Sequence, residues 1–111
     1  MKRDYKLYLN DIINSIKQIA TYMGNVSKDE FDKNILIQDA VIRRLEIIGE
    51  ASRNIPRALK EKNKHVPWIQ MAEFRNLIAH SYYEVSMDRI FKTAKDVIPK
   101  IEEAMKKMEL V

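Results

Sequence analysis

An all-α fold is what this sequence predicts, and three observations lead there. Gly and Pro are scarce: Gly24, Gly49, Pro56, Pro67 and Pro99 are all the chain has, whereas a β-rich domain needs turn residues every ten positions or so. Apolar residues recur at spacings of three and four rather than two. Helix-start signals stand where those periodic segments begin. With 111 residues, a single domain over 1–111 is expected, with no room for a second. The expected architecture is an antiparallel bundle of four main helices plus a short one.

The first helix is predicted from about Asp4 to Met23. Tyr5, Tyr8, Leu9, Ile12, Ile16, Ile19, Ala20 and Met23 form one apolar stripe, and Gly24-Asn25 is a stop that tolerates the left-handed conformation. Ser27-Lys28-Asp29-Glu30 reads as a capping box, with Val26 and Phe31 placed for a hydrophobic staple. The helix it opens is expected to continue to about Arg53. Ile37, Val41, Leu45, Ile48, Ser52 and Ile55 share one face of it, widened by Ala40, Ile47 and Ala51 on one side and by Phe31, Ile35 and Ile42 on the other. A helix this apolar sits at the centre of a bundle, packs on a second copy, or does both.

Pro56 opens a short helical turn to Lys62, and Pro67 suits the first position of a fourth helix to Ala79. Ser86 can cap the fifth, where Met87, Ile90, Phe91, Ala94, Val97, Ile98, Ile101, Met105 and Met108 keep the helical spacing. Pro99 removes a backbone hydrogen bond there, so a kink is expected.

Composition excludes several functions. The absence of Cys removes disulfides, thiolate metal sites and a cysteine nucleophile, and two His add too little for a structural zinc site. Two distant glycines make no phosphate-cradling loop of the Walker or Rossmann kind. No apolar run approaches the ~18–20 residues of a membrane span, and the basic start lacks the apolar core of a signal peptide. A cytoplasmic protein without membrane contact is expected.

The net charge of +4 is concentrated in residues 43–64, where Arg43, Arg44, Arg53, Arg57, Lys60, Lys62 and Lys64 face only Glu46, Glu50 and Glu61. The remainder of the chain is balanced. Such a run is a patch for a polyanion such as RNA, and it reads equally as a solvated helix end whose cations favour the macrodipole. Arg44 is unusual in falling beside Ile37 and Ala51 on the apolar side. It either snorkels to solvent or faces a partner.

The segment Arg75-Asn76-Leu77-Ile78-Ala79-His80-Ser81-Tyr82 carries the candidate chemistry, with Trp68, Phe74, Tyr82 and Tyr83 expected around it. Arg offers a permanently charged planar fork for a phosphate. The negative end of a helix favours the imidazolium of His80. Together they are a minimal set for cleaving a phosphodiester with RNA's own 2′-hydroxyl. Taken as residues alone, the pair reads equally as a surface ion-pair residue and a helix-terminal His. Five residues separate Arg75 from His80, about 140° around an ideal helix and about 7.5 Å along it. One straight helix does not aim both at one phosphate. Either the helix unwinds before His80, or a second chain completes the site.

The pattern Arg75-(four residues)-His80-Ser81-Tyr82 resembles the R-x4-H-x-Y motif of HepT toxins, minimal members of the HEPN superfamily. Ile47-Ile48-Gly49-Glu50-Ala51, the Pro67-Trp68 entry and the stretch from Asp88 to Pro99 extend the resemblance over essentially the whole chain. It implies a HEPN-like bundle and a metal-independent endoribonuclease without a cofactor, acting as a toxin and forming homodimers with the motif at the interface. It further implies neutralisation by a cognate MNT-type nucleotidyltransferase antitoxin. By position, Arg75 and His80 are the catalytic pair, Asn76 a supporting residue, and Tyr82 the tyrosine that receives AMP. Arg43, Arg44, Arg53, Arg57 and Lys60 are the expected RNA contacts. The alternative is a non-catalytic accessory subunit that binds nucleotide or substrate for a nucleotidyltransferase.

Overall fold

A chain so poor in turn residues can pair its backbone groups only within helices, and the computed structural model is helical throughout, without a strand among the described residues. It describes residues 3–81 and 86–110, with His80 and Ser81 described by their backbone alone. The all-α HEPN-like class expected from the sequence is the class observed.

Helix α1 spans Tyr5–Met23. The Asp4 side chain accepts from the Lys6 N–H at 2.9 Å, and Gly24 ends the helix at φ 45°, a conformation that Gly adopts without steric cost. Leu9, Ile12, Ile16, Ile19 and Met23 are buried as the stripe requires, while Ala20 is exposed. Helix α2 (Lys28–Lys33) begins with both bonds of the capping box: Glu30 N–H donates to Ser27 Oγ at 3.1 Å and Ser27 N–H to Glu30 Oε1 at 3.3 Å.

The long second helix expected through Arg53 is two helices. Asn34 breaks it, at φ −113° and ψ 90°, and α3 runs Ile35–Arg53. The Asn34 side chain accepts from the Ile37 N–H at 3.0 Å, so a new N-cap forms where an uninterrupted helix would leave that amide group without a role. Gln38 Nε2 donates to the Phe31 carbonyl at 2.8 Å and takes up an acceptor that the break leaves behind.

Helix α4 (Arg57–Lys62) follows Pro56. The next rod is α5 (Trp68–Ala72) and α6 (Phe74–Ser81), joined through Glu73, with Pro67 just outside the first turn. Ser86 caps α7 (Met87–Lys92) by accepting from the Arg89 N–H at 3.2 Å. In place of a simple kink at Pro99, the chain widens into a π-helical turn over Thr93–Val97 and then continues as α8 (Ile98–Lys106). The wider turn moves the preceding carbonyls away from the proline ring, which lacks an N–H to bond them.

Helix α3 is central. It packs against α1, α2, α5, α6 and α7, while α1 also meets α8. Val41, Ile42, Leu45, Ile48, Ala51 and Ser52 are therefore consumed inside the chain, while Ile35 and Leu36, 69% and 78% exposed, and half-buried Ile47 remain as apolar excess. Trp68 and Phe74, expected around the motif, are buried in the core. Their size and spacing make them anchors of the α5–α6 rod.

At the far end, fully buried Asn63 closes the fold. Its Nδ2 donates to the carbonyls of Leu59 and Glu109 (2.9 and 2.8 Å), and its Oδ1 accepts from the Glu109 N–H at 2.7 Å. Its main-chain carbonyl accepts from Trp68 Nε1 at 3.0 Å. One amide thus ties α4, the start of α5 and the end of the chain together.

Candidate active site

The α5–α6 rod crosses α3 at Gly49, where a side chain would press on its neighbours. A Cβ there would lie 3.3 Å from both the backbone N and Cγ of Arg75, and 3.4 Å from the Met71 carbonyl. Gly49 thus lets the backbone of Arg75 rest directly on α3. The next residue along α3, Glu50, meets the Arg75 guanidinium, Oε2 to Nη1 at 3.4 Å. Arg75 is anchored at its base by close packing and at its tip by charge.

The Arg75 side chain is 49% exposed and Glu50 60%. Both line an open cleft of about 350 Å³ together with Arg3, Tyr8, Arg43 and Ile47. Every arginine of the cleft has a carboxylate partner. Arg3 Nη1 lies 2.6 Å from Asp11 Oδ2, a hydrogen bond that raises the guanidinium pKa further, and Arg43 pairs with Glu46 one helical turn on. The Arg3 guanidinium carbon also stands 4.6 Å from the centre of the Tyr8 ring. Solvent-exposed ion pairs contribute about 0–1 kcal/mol each, so these partners exchange readily for a phosphate.

The helix does not unwind before His80: α6 is helical from Phe74 to Ser81. Arg75 and His80 therefore stand about 140° apart around one axis. Asn76, beside Arg75, is exposed. Tyr82 and Tyr83 lie outside the described residues, as does the side chain of His80.

The basic run does not form one surface. Arg43 belongs to the cleft, and Arg53 lines a second cleft beside it. Arg57 is 92% exposed and paired with Glu61 at 3.1 Å. Lys60 lines a different groove with Trp68 and Ile69, where partial burial lowers its pKa. Arg44 is half-buried and has no ion pair among the described residues. All three acids of the run are spent on cations: Glu46 on Arg43, Glu61 on Arg57, and Glu50 on Arg75.

Sequence reasoning missed Arg3, Tyr8, Asp11 and Glu50 as residues of the cleft. The first three come from α1 or just before it and reach the site only through the packing of α1 on α3. Glu50 had a local signal, a carboxylate directly after a mid-helix glycine.

Among the described residues no helix is long and apolar enough to cross a membrane. No solved structure matches the chain significantly. Curated relatives do. "Putative RNase MJ1380" of Methanocaldococcus jannaschii is 40% identical, over 99% of this chain and 98% of its own length. "Probable ribonuclease HepT" of Thermococcus cleftensis is 39% identical, over 97% of this chain and 98% of its own. "Gamma-glutamylcyclotransferase and putative RNase MJ0434" of M. jannaschii is 43% identical, but this chain spans only 50% of it. Residues 12–108 match the family described as Ribonuclease HepT-like. With a match over that length, the chain belongs to the HepT-like ribonuclease family.

Proposed function

We propose that the protein is a metal-independent endoribonuclease, the toxin of a toxin–antitoxin pair, and that Arg75 and His80 perform the cleavage. One observation carries the reading: Arg75 is half-exposed in an open cleft and held by packing and an exchangeable ion pair, on a helix that continues through His80. The names of the full-length relatives as ribonucleases support RNA as the substrate.

In this reading the RNA phosphate displaces Glu50 from the Arg75 fork. The 2′-oxygen attacks phosphorus while imidazole takes its proton, the bond to O5′ breaks, and the imidazolium so formed gives a proton to O5′ as it leaves. The products are a 2′,3′-cyclic phosphate and a 5′-hydroxyl. Arg75 neutralises the charge that builds on the non-bridging oxygens. Asn76 supports by hydrogen-bonding beside it.

Because α6 stays helical past Arg75, one chain turns the two residues to different sides of the helix. A two-fold homodimer resolves this by bringing Arg75 of one copy and His80 of the other to one phosphate. Sedimentation at micromolar concentration should give about twice the 13.1 kDa chain mass; a 13.1 kDa species would contradict it.

Control falls to Tyr82. An MNT-type nucleotidyltransferase antitoxin transfers AMP from ATP: the phenolic oxygen bonds to the α-phosphorus, pyrophosphate leaves and the phenol loses its proton. The added phosphodiester would occupy Arg75 or a protonated His80 and fill the place of the substrate. The protein would act in the cytoplasm, where RNA and ATP are found.

The test is cleavage of single-stranded RNA in EDTA, with the products' termini identified. Wild-type protein should leave cyclic phosphate ends, and folded Arg75→Ala and His80→Ala variants should leave the RNA intact. Activity surviving both substitutions would remove the assignment. Binding without cleavage by wild-type protein would favour the accessory-subunit alternative.

A further inference from the structure

The clefts at Arg75 and Arg53 share Arg3 and Tyr8 in their walls. The clefts, of about 350 and 700 Å³, thus adjoin at these two residues. Four arginines line them: Arg75 and Arg43 the first, Arg53 the second, and Arg3 both, with its guanidinium over the Tyr8 ring. We propose that the two clefts form one groove, the track for single-stranded RNA leading from the scissile phosphate, and that Tyr8 is the platform on which a nucleobase stacks.

The inference rests on the reading of Arg75 as a phosphate-contacting residue and says where the rest of the strand lies. Single-strand binding sites combine a cationic groove with an aromatic face, because every base has a π-face and every nucleotide a phosphate. Both are present here. In the unliganded chain, Arg3 occupies the face of Tyr8 at 4.6 Å and is held from its other side by Asp11. An exposed cation–π contact is weaker than base–aromatic stacking. A base therefore displaces Arg3 from the ring, and the released guanidinium pairs with a flanking phosphate. Arg3 acts as a placeholder that becomes a ligand. Lys60, in a separate groove with Trp68 and Ile69, lies off this track.

The probe is a fluorescent 2′-O-methyl oligoribonucleotide of about ten nucleotides, which lacks the nucleophilic hydroxyl and is read by anisotropy across a salt series. Tyr8→Leu should weaken binding about tenfold, while Tyr8→Phe, which keeps the ring, should bind like wild type. Arg3→Ala and Arg43→Ala should each reduce the slope of log K against log salt by about 0.7, and Lys107→Ala, in a different cleft with His65, should leave it unchanged. Should Tyr8→Leu fail to fold by circular dichroism, the Arg3→Ala slope decides. Wild-type binding by folded Tyr8→Leu, or an unchanged slope in Arg3→Ala, overturns the track. If unmodified RNA is still cleaved under those outcomes, the ribonuclease reading stands without it. A wild-type chain that neither binds the probe nor cleaves RNA overturns both.

Discussion

Two polar regions, one just before the α5–α6 rod and one at its middle, are built on opposite principles. Asn63 is fully buried and each polar atom of its side chain has a short partner, in three bonds of 2.7–2.9 Å. Around Arg75 the charges are half-exposed, and the pair with Glu50 is long at 3.4 Å. A buried, satisfied amide specifies structure, because leaving its partners unpaired costs far more than the bonds gain. Exposed ion pairs specify little and exchange easily. One region is held by buried bonds, the other by exposed ones.

Substitution should separate the two regions. The largest effect expected is on activity: Arg75→Ala should lower RNA cleavage by about 10²–10⁴-fold while shifting the thermal midpoint by no more than about 5 °C, which is what loss of an exposed pair permits. A comparable fall in stability would place Arg75 on the structural side of the comparison. Asn63→Ala should do the reverse. Removing the amide takes away the partner of the Glu109 N–H and carbonyl, while the Leu59 carbonyl keeps the backbone N–H of residue 63; the loss should cost about 1–3 kcal/mol, read as a lowered denaturant midpoint, with cleavage by the folded fraction unchanged.

Gly49→Ala tests the link between packing and site. The gain in helix propensity, about 1 kcal/mol, opposes an overpacking cost of about 1–3 kcal/mol. The stability loss should thus be small. Cleavage should still fall about tenfold or more, since the added methyl pushes on the backbone of Arg75 itself. Equal activity would mean that the Arg75 backbone tolerates the shift.

The smallest effect concerns Lys60, whose pKa is lowered by partial burial. A folded pKa below the unfolded one means that the charged form is disfavoured in the fold. This penalty is present below the folded pKa and is relieved as pH rises through it toward the unfolded value. Lys60→Met should accordingly be neutral or slightly stabilising at pH 7, with the difference from wild type shrinking in alkaline solution. Destabilisation at pH 7 would contradict the sign.

How much of this was legible in the sequence follows the range of the interactions. Ser27 and Ser86 cap helices through bonds three residues away, and their patterns were readable locally. Asn34 was not, because its capping of Ile37 competes with an apolar periodicity that runs unbroken past it. Asn63 reaches Glu109 across 46 residues, and nothing local marks that partner. The cleft divides the same way. Arg75 stood out through the motif it shares with a known family, whereas Arg3 and Tyr8 enter only because α1 packs on α3. The basic run misled in part. Its charges sit close in sequence, but Arg43 and Lys60 open onto different grooves.

The central claim is that a second copy of the chain completes the site, because α6 turns Arg75 and His80 apart on one helix. Subunit complementation tests it most directly. Arg75→Ala and His80→Ala proteins, each inactive alone, are mixed under conditions that allow subunits to exchange, and RNA cleavage is measured in EDTA. Half of the re-formed dimers are mixed, and each holds one intact Arg75–His80 pair out of two, so the account predicts recovery of about a quarter of wild-type activity. A mixture as inactive as its two components, with exchange verified by a tag on one of them, would contradict it.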